Sequence, residues 1–343
     1  MRKLALALVL LASSAFAQAP RILRATLTTA PAAADLAAQV RASKTPWIGY
    51  SVPAVDGYRV MCCFERWGEF KSGGTCRLTD DASSFTSTTD DELRPAAGSI
   101  AVVYRIENGA IARVRTYSLD CTLDGGGTAV TWIDGADPRK SVGLLASLVG
   151  GEKSVSKRAL SALAMHDEAS AGDRLEGWAR SSTRSDDVRG EAVFWLAETR
   201  PERGLEAARL LARDASASRK VREKAVFALS LIKTAPATDE LIRIAKNDDD
   251  SHVRGQALFW LSQQAGKKAA GAIREAVDRD ADSHVREKAV FAVSQLPDDE
   301  GIPILIDLMK NHRDPNVRKK AAFWLGQKRD PRALNALEEI LRR

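Results

Sequence analysis

VREKAVFAV, read from Val285, is one of five near-copies of a single phrase. The others are VRGEAVFWL from Val188, VREKAVFAL from Val221, VRGQALFWL from Val253 and VRKKAAFWL from Val317. Successive copies start 33, 32, 32 and 32 residues apart, and a degenerate sixth, VSKRALSAL, begins at Val155. Self-similarity at this period predicts a helical solenoid, because one repeat alone cannot bury its own apolar face.

With the Val of each phrase as position zero, positions 0, 4, 7, 8 and 11 fall within an arc of about 100° on a helix and make one apolar face. Three residues before each Val stands Ser185, Ser218, Asp250, Asp282 or Asp314, a residue suited to accept the unpaired amide hydrogens of a first helical turn. Pro315 follows at a first helical position, where its missing N–H costs nothing. The Arg after each Val lies four residues past the cap, so pairs Asp250–Arg254, Asp282–Arg286 and Asp314–Arg318 are expected along the helix surface. Position 7 alternates as Ala162, Trp195, Ala228, Trp260, Ala292 and Trp324. Large rings flanked by small residues suit a close-packed interior, and the alternation makes a two-repeat unit of 64 to 65 residues.

Between these phrases lie GLEAARLLARD, TDELIRIAKND and GIPILIDLMKN, which read as partner helices. DPRKSVGLLASLV opens the array at Asp137 and DPRALNALEEIL closes it at Asp330, so residues 137–343 are expected to hold about twelve helices in antiparallel pairs.

Upstream the character changes. WIGYSV, YRVMCCF, SIAVVYRIE, AIARVRTYSL and TAVTWI are short, β-branched or aromatic runs, and Asn108-Gly109 between two of them predicts a tight hairpin. Residues 46–135 therefore read as a small β-rich domain, with residues 81–92 a solvated loop inside it. Residues 18–45 read as a linker with a short helix over residues 34–42. Residues 1–17 read as an export signal: Arg2 and Lys3, the apolar run from Leu4 to Leu11, then Ala15-Phe16-Ala17 for cleavage. A periplasmic or secreted location is expected, with no membrane-spanning segment in the mature chain.

The formal charge of +6 falls to +4 once Arg2 and Lys3 are removed, and acidic and basic residues are interleaved, which argues against a nucleic-acid partner. All four cysteines, Cys62, Cys63, Cys76 and Cys121, precede the repeats. In an exported chain they suggest two disulfides, with Cys62 and Cys63 each joined to one of the other two. No histidine lies near them, and the adjacent pair lacks the spacing of zinc ligands.

The surface of the repeats supplies the candidate site. Position 6 is Phe194, Phe227, Phe259, Phe291 and Phe323, about 150° from the centre of the apolar arc. Positions 3 and 10 add Lys224, Lys288, Lys320, Gln256, Gln263, Gln295 and Gln327. If the phrase helices line the concave side, this is an aromatic ladder flanked by amines and amides, a composition that protein interfaces favour. The competing reading packs each Phe against the next repeat. His252 and His284 recur one repeat apart, and a helix spacing of roughly 10 Å predicts separate, solvated rings. Asp278, Asp280 and Asp282 open like a calcium loop, but Ser283 and Ala289 stand where its Gly and Glu belong. Nothing in the sequence places a nucleophile beside a base.

The VRxxAxxxL phrase resembles the HEAT-like repeats first associated with phycobilisome lyases, over about residues 137–343. The resemblance implies a mainly α protein: a right-handed α-solenoid of HEAT-like helix pairs, here preceded by a small disulfide-bonded β-rich domain. Deoxyhypusine hydroxylases of this type build a di-iron site from His-Glu pairs, and none of His166, His252, His284 and His312 is followed by Glu. No cofactor or metal is expected. The function expected is a protein–protein interaction scaffold of the bacterial envelope, with a partner protein or peptide on the concave face. The alternative is a small-ligand or enzymatic site in the β-rich domain or at its junction with the repeats, where Trp47, Tyr50, Trp67 and Trp132 are the candidates.

Overall fold

The structure, a computed structural model, describes residues 19–56, 75–79, 98–119, 121–264 and 267–342. The export signal, residues 81–92, Cys62, Cys63 and Trp67 all lie outside the described residues. The chain forms two compact units, one running to Ala171 and the other from Gly172.

The first unit is built on a mixed sheet. Its strands are β1 (Ile22–Pro31), β2 (Trp47–Pro53), β3 (Thr75–Arg77), β4 (Ser99–Glu107), β5 (Ala110–Ser118) and β6 (Thr122–Asp134). Their order is β1-β6-β2-β4-β5, with β3 also paired to β6. β1 and β2 run parallel to β6, while β4 runs antiparallel to both β2 and β5. Asn108 and Gly109 turn β4 into β5 with φ of 51° and 74°, the positive values that the Asn-Gly pair predicts. The segment read as a linker contributes β1, an edge strand, followed by helix α1 (Leu36–Arg41).

β2 and β4 are buried along almost their whole length. Trp47, Ala101, Val103, Val130 and Trp132 join Cys76, Leu78 and Cys121 in one apolar cluster. Cys76 is buried, and its expected partners Cys62 and Cys63 lie outside the described residues. Two helices, α2 (Pro138–Leu148) and α3 (Lys153–Ala164), belong to this unit, with α3 packed on β5. The first helix pair, expected to open the solenoid, thus joins the sheet instead.

A fully buried polar chain runs through this unit. The His166 Nδ1–H donates to the Ala162 carbonyl at 2.8 Å, which leaves Nε2 to accept from the Ser141 hydroxyl at 2.7 Å. Ser141 Oγ accepts in turn from Tyr50 at 2.8 Å, and Tyr50 from Tyr104 at 2.5 Å. The sequence reading that no nucleophile meets a base is therefore corrected, since a Ser hydroxyl does sit on a His nitrogen. Both side chains are wholly buried, however, and their bonds are spent on the chain itself.

The second unit stacks helix pairs. Helix α4 (Ala169–Arg180) stands at the boundary of the units. The signature helices, which carry the repeated phrase, are α5 (Asp186–Thr199), α7 (Arg219–Leu231), α9 (Ser251–Ser262), α11 (Ser283–Ser294) and α13 (Pro315–Gly326). They alternate with α6 (Pro201–Arg213), α8 (Ala235–Asn247), α10 (Lys267–Arg279), α12 (Asp298–Asn311) and α14 (Pro331–Leu341). The described residues hold 13 helices from Pro138 onward, one more than the pattern suggests. Each signature helix packs on the next, and neighbours in this layer approach more closely than neighbours in the partner layer, so it is the inner one. No helix among the described residues is long and apolar enough to cross a membrane.

All five caps form: Ser185, Ser218, Asp250, Asp282 and Asp314 each accept a first-turn N–H. The arginines behave differently from the expected pairing along the helix. Each one holds a carbonyl at the corner of its own repeat, as Arg254 holds that of Asp248 at 2.7 Å and Arg286 that of Asp280 at 2.8 Å. Arg189, Arg222, Arg254 and Arg286 then reach forward to a carboxylate of the following repeat. Arg222 meets Asp248 at 2.5 Å, Arg254 meets Asp280 at 2.9 and 3.0 Å, Arg286 meets Asp314 at 3.1 Å, and Arg189 lies 3.8 Å from Asp214. The cap of each helix accepts from its own first-turn amides, and the guanidinium fork is directed to the next repeat, where for Arg286 the carboxylate is the next cap, Asp314.

Two outcomes test this account. Asp280→Ala should lower unfolding stability in urea by about 2–3 kcal/mol, because it strips a shielded Arg254 of its partner. Asp282→Ala removes a cap and a bond to the Ser251 hydroxyl, with no shielded charge left behind, and should cost about 1 kcal/mol; equal losses would mean that the inter-repeat pair contributes nothing special. In the first unit, burial pushes the Tyr50 phenol up to about 12, against opposing bonds from Ser141 and Tyr104. Burial likewise drives Tyr104 upward, helped by Tyr50. The fold holds both phenols neutral, so their stabilisation is complete below an unfolded pKa of about 10 and disappears as pH rises through the folded value. Phenolate absorbance from the pair should therefore appear together with loss of near-ultraviolet dichroism above pH of about 10; titration in a still-folded protein would refute it.

Candidate functional site

The signature helices spend one face on the core. Val188, Val221, Val253, Val285 and Val317 are buried, as are the residues at positions 4 and 8 of each phrase. Position 6 then projects sideways along the layer, and its phenyl ring reaches the neighbouring helix. Phe194 stacks on Phe227 with centroids 5.7 Å apart and planes 11° apart, and Phe259 stacks on Phe291 at 6.1 Å and 1°. Phe227 tilts against Trp260 at 4.6 Å, and Phe291 against Trp324 at 5.0 Å. Within one helix, Trp195, Trp260 and Trp324 meet Phe194, Phe259 and Phe323 edge to face at 4.9–5.1 Å.

The outcome is one continuous row of eight rings across five repeats. It corrects the placing of the tryptophans in the interior: Trp195 is buried, but Trp260 and Trp324 are only half-buried and belong to the row. The Trp/Ala alternation is the period of this row. A repeat with Ala at position 7 contributes a lone Phe, which stacks on the ring before it and tilts against the Trp after it. Phe194, Phe227, Phe259 and Phe291 are half-buried, so the packing reading and the exposed reading each describe part of every ring. Phe323 has no successor and is 55% exposed.

Charged and amide groups flank the row. Lys224 lies 3.9 Å from Glu191, and Lys320 lies 3.2 Å from Glu287. Burial pushes the Glu198 carboxyl up, opposed by Lys233. Between α9 and α11 the face opens into a cavity of about 300 Å³, lined on its polar side by Gln256, Lys288, His252 and His284. Gln263, Gln295 and Gln327 sit at helix C-caps and do not line it.

The two imidazoles are 5.6 Å apart centroid to centroid, much closer than helix spacing implies, because both lean over the same opening. Helix spacing measures axes, and a side chain several bonds long closes that gap. Among the described residues, no group of three or more His, Cys, Asp or Glu side chains is placed to hold a metal ion. Glu223, which also faces this cavity, Gly255 and both histidines are the members that the ladder reading missed. Their signal was positional, since they occupy places just before and just after the phrase's Val on the same helix face.

The alternative candidates in the first unit offer no open surface. Trp47, Tyr50 and Trp132 are all buried, Trp47 beneath the Arg105 guanidinium and Tyr50 in its hydroxyl chain.

Residues 179–262 and 270–343 match the HEAT repeats family. No curated protein matches the chain in sequence. Among solved structures, the complex of CpcE and CpcF of phycocyanin lyase from Nostoc sp. PCC7120 is similar at 21% identity, over 50% of this chain and 70% of that one, with a TM-score of 0.34. Human deoxyhypusine hydroxylase is similar at 17% identity, over 59% and 75%, with a TM-score of 0.32. The Cnd3-Cnd2 subcomplex of S. pombe condensin is similar at 19% identity, over 58% and 31%, with a TM-score of 0.39.

The ring row also orders the stability of its members. Phe227→Ala removes contacts on both sides of a half-buried ring and should cost about 2–3 kcal/mol in urea unfolding, below the range for fully buried Phe. Phe323→Ala removes one contact from an exposed ring and should cost under about 1 kcal/mol. Equal costs at the two positions would show that the row is not a stacked unit.

Proposed function

We propose that this HEAT-like repeat protein is a scaffold whose signature-helix face holds an extended segment of a partner protein in the cell envelope. The observation that carries the reading is the row of eight rings, continuous over five repeats and left half in water on the inner layer. Apolar surface left in water costs about 25 cal/mol per Å², and a partner chain laid along the row recovers it. The lysines and glutamines beside the rings supply hydrogen-bonding groups for such a chain, and aromatic anchors with polar neighbours are the usual make-up of an interface centre.

The compartment is supported by residues 1–17, which carry the features of an export signal. An oxidising compartment also suits a bridge from Cys121 to Cys62 or Cys63.

A crosslinked pull-down from the envelope fraction tests the reading, with the mature protein as bait beside two variants. One carries Phe323→Glu and Lys320→Glu at the exposed end; the other carries Phe259→Ala and Phe291→Ala at the centre. Circular dichroism establishes that each is folded. The expected outcome is a partner captured by the parent and lost, or depleted severalfold, in both folded variants. Capture of the same proteins by all three would remove this face from consideration.

A further inference from the structure

The pairing of lysines with glutamates along the signature layer holds at the first and last steps and lapses at the two between, where α9 carries Gln256 in place of a lysine after Glu223 and no glutamate before Lys288. Lys224 faces Glu191 of the helix before it, and Lys320 faces Glu287. Lys288 holds the equivalent place on α11, but the helix before it presents Gly255 and Gln256, neither of which carries charge. Among the described residues Lys288 has no ion-pair partner. Its stem passes over Gly255, where an added Cβ would lie 3.4 Å from the Lys288 Cγ. The amine is thus an exposed cation at the mouth of the cavity of about 300 Å³, with Gly255 as part of its floor.

The rest of the lining selects between ligand charges. Gln256 brings an amide donor, and the two histidines bring ring N–H groups. Phe259 and Phe291, nearly parallel with centroids 6.1 Å apart, give the cavity its apolar side. Glu223 is the one carboxylate on the wall, and it suits a group that presents N–H donors on its other side.

We infer that this cavity takes the carboxylate of an acidic side chain, carried within an extended segment of the partner and followed by an apolar side chain against Phe259 and Phe291. The carboxylate meets Lys288 and Gln256, and the segment's backbone N–H faces Glu223. The inference rests on the scaffold reading and names which residue of the partner is recognised, and where.

The test is an NMR titration of the isotope-labelled mature protein with two capped peptides, Ac-Gly-Glu-Leu-Gly-NH2 and its Gln counterpart. The expected result is perturbation of Lys288 and Gln256 signals, with the Glu peptide binding at least about tenfold more tightly. Lys288→Gln, which removes no ion pair and should leave the thermal midpoint unchanged, should equalise the two peptides. Gly255→Leu, a helix-favouring change that fills the floor, should abolish the binding of both. Equal binding of the two peptides to the parent overturns the carboxylate site while leaving the aromatic face as a docking surface. A preference that survives Lys288→Gln, or no perturbation at the cavity by either peptide, overturns it as well. The envelope pull-down is decided by the Phe323→Glu, Lys320→Glu variant, which lies outside the cavity, so failure of one reading is distinguishable from failure of the other.

Discussion

A helix pair with one apolar stripe has no inside of its own, and each repeat here is complete only when the next one covers it. That constraint decides how the signature helix is used. Its core-facing positions are buried against the partner helix and the adjoining repeats. The first turn is spent twice: the cap residue satisfies the helix's own amides, and the arginine beside it reaches the following repeat. Arg222–Asp248 and Arg254–Asp280 are both largely shielded from water, with side-chain exposures of 14%/5% and 14%/8%. Such pairs contribute modestly to net stability, since desolvation offsets much of their attraction. Their stronger effect is on register, because a slip of one repeat against its neighbour leaves a shielded guanidinium unpaired.

The same economy explains why a surface of rings can persist without a partner. Isolated phenylalanines in water would favour aggregation. Here each ring covers part of the next, and a two-repeat period of Phe, Phe and Trp keeps the contacts unbroken. Stacked and edge-to-face pairs add about 0.5–1.5 kcal/mol each beyond the area they bury. The row is therefore both a spine for the solenoid and a surface, and only its last ring, Phe323, is mostly surface. A choice between packed and exposed rings is false for a one-dimensional array, where side-by-side contact consumes the flanks of a ring and leaves its rim.

What the sequence could and could not reveal follows from the range of each interaction. The five caps, the Asn108-Gly109 turn and the helix pairs are local, and each depends on residues within one turn or one hairpin. The strand from Ile22 to Pro31 was missed because it is an edge strand with mostly exposed side chains. Pairing with β6 across about a hundred residues defines it, so it lacks the apolar alternation that announces a half-buried strand. The arginine partners were assigned to the wrong carboxylates for a related reason. Spacing along one helix is visible in sequence, whereas the competing carboxylate some 26 residues on becomes a neighbour only after stacking. Ser141 and His166 are likewise 25 residues apart and meet through packing. The aromatic face was legible as a stripe at position 6, but the cavity within it was not. That cavity depends on Gly255, where a missing side chain leaves space, and on two histidines that lean together.

Charge along the inner layer is unevenly laid out, and this has a directional consequence. The first signature helix places Asp187, Glu191 and Glu198 around its ring, whereas the last two place Lys288 and Lys320 there. Glu191 and Lys224 partly cancel, as do Glu287 and Lys320, which leaves Glu198 opposed by Lys233 toward one end and Lys288 together with Glu223 at the cavity. Burial pushes the Glu198 carboxyl upward, against the opposing charge of Lys233. A hydrophobic row alone would accept an extended chain in either direction and in any register, since every repeat offers the same ring. One amine beside one glycine breaks that degeneracy. On the scaffold reading it converts a surface that is merely adhesive into one that fixes both the direction and the position of what it holds.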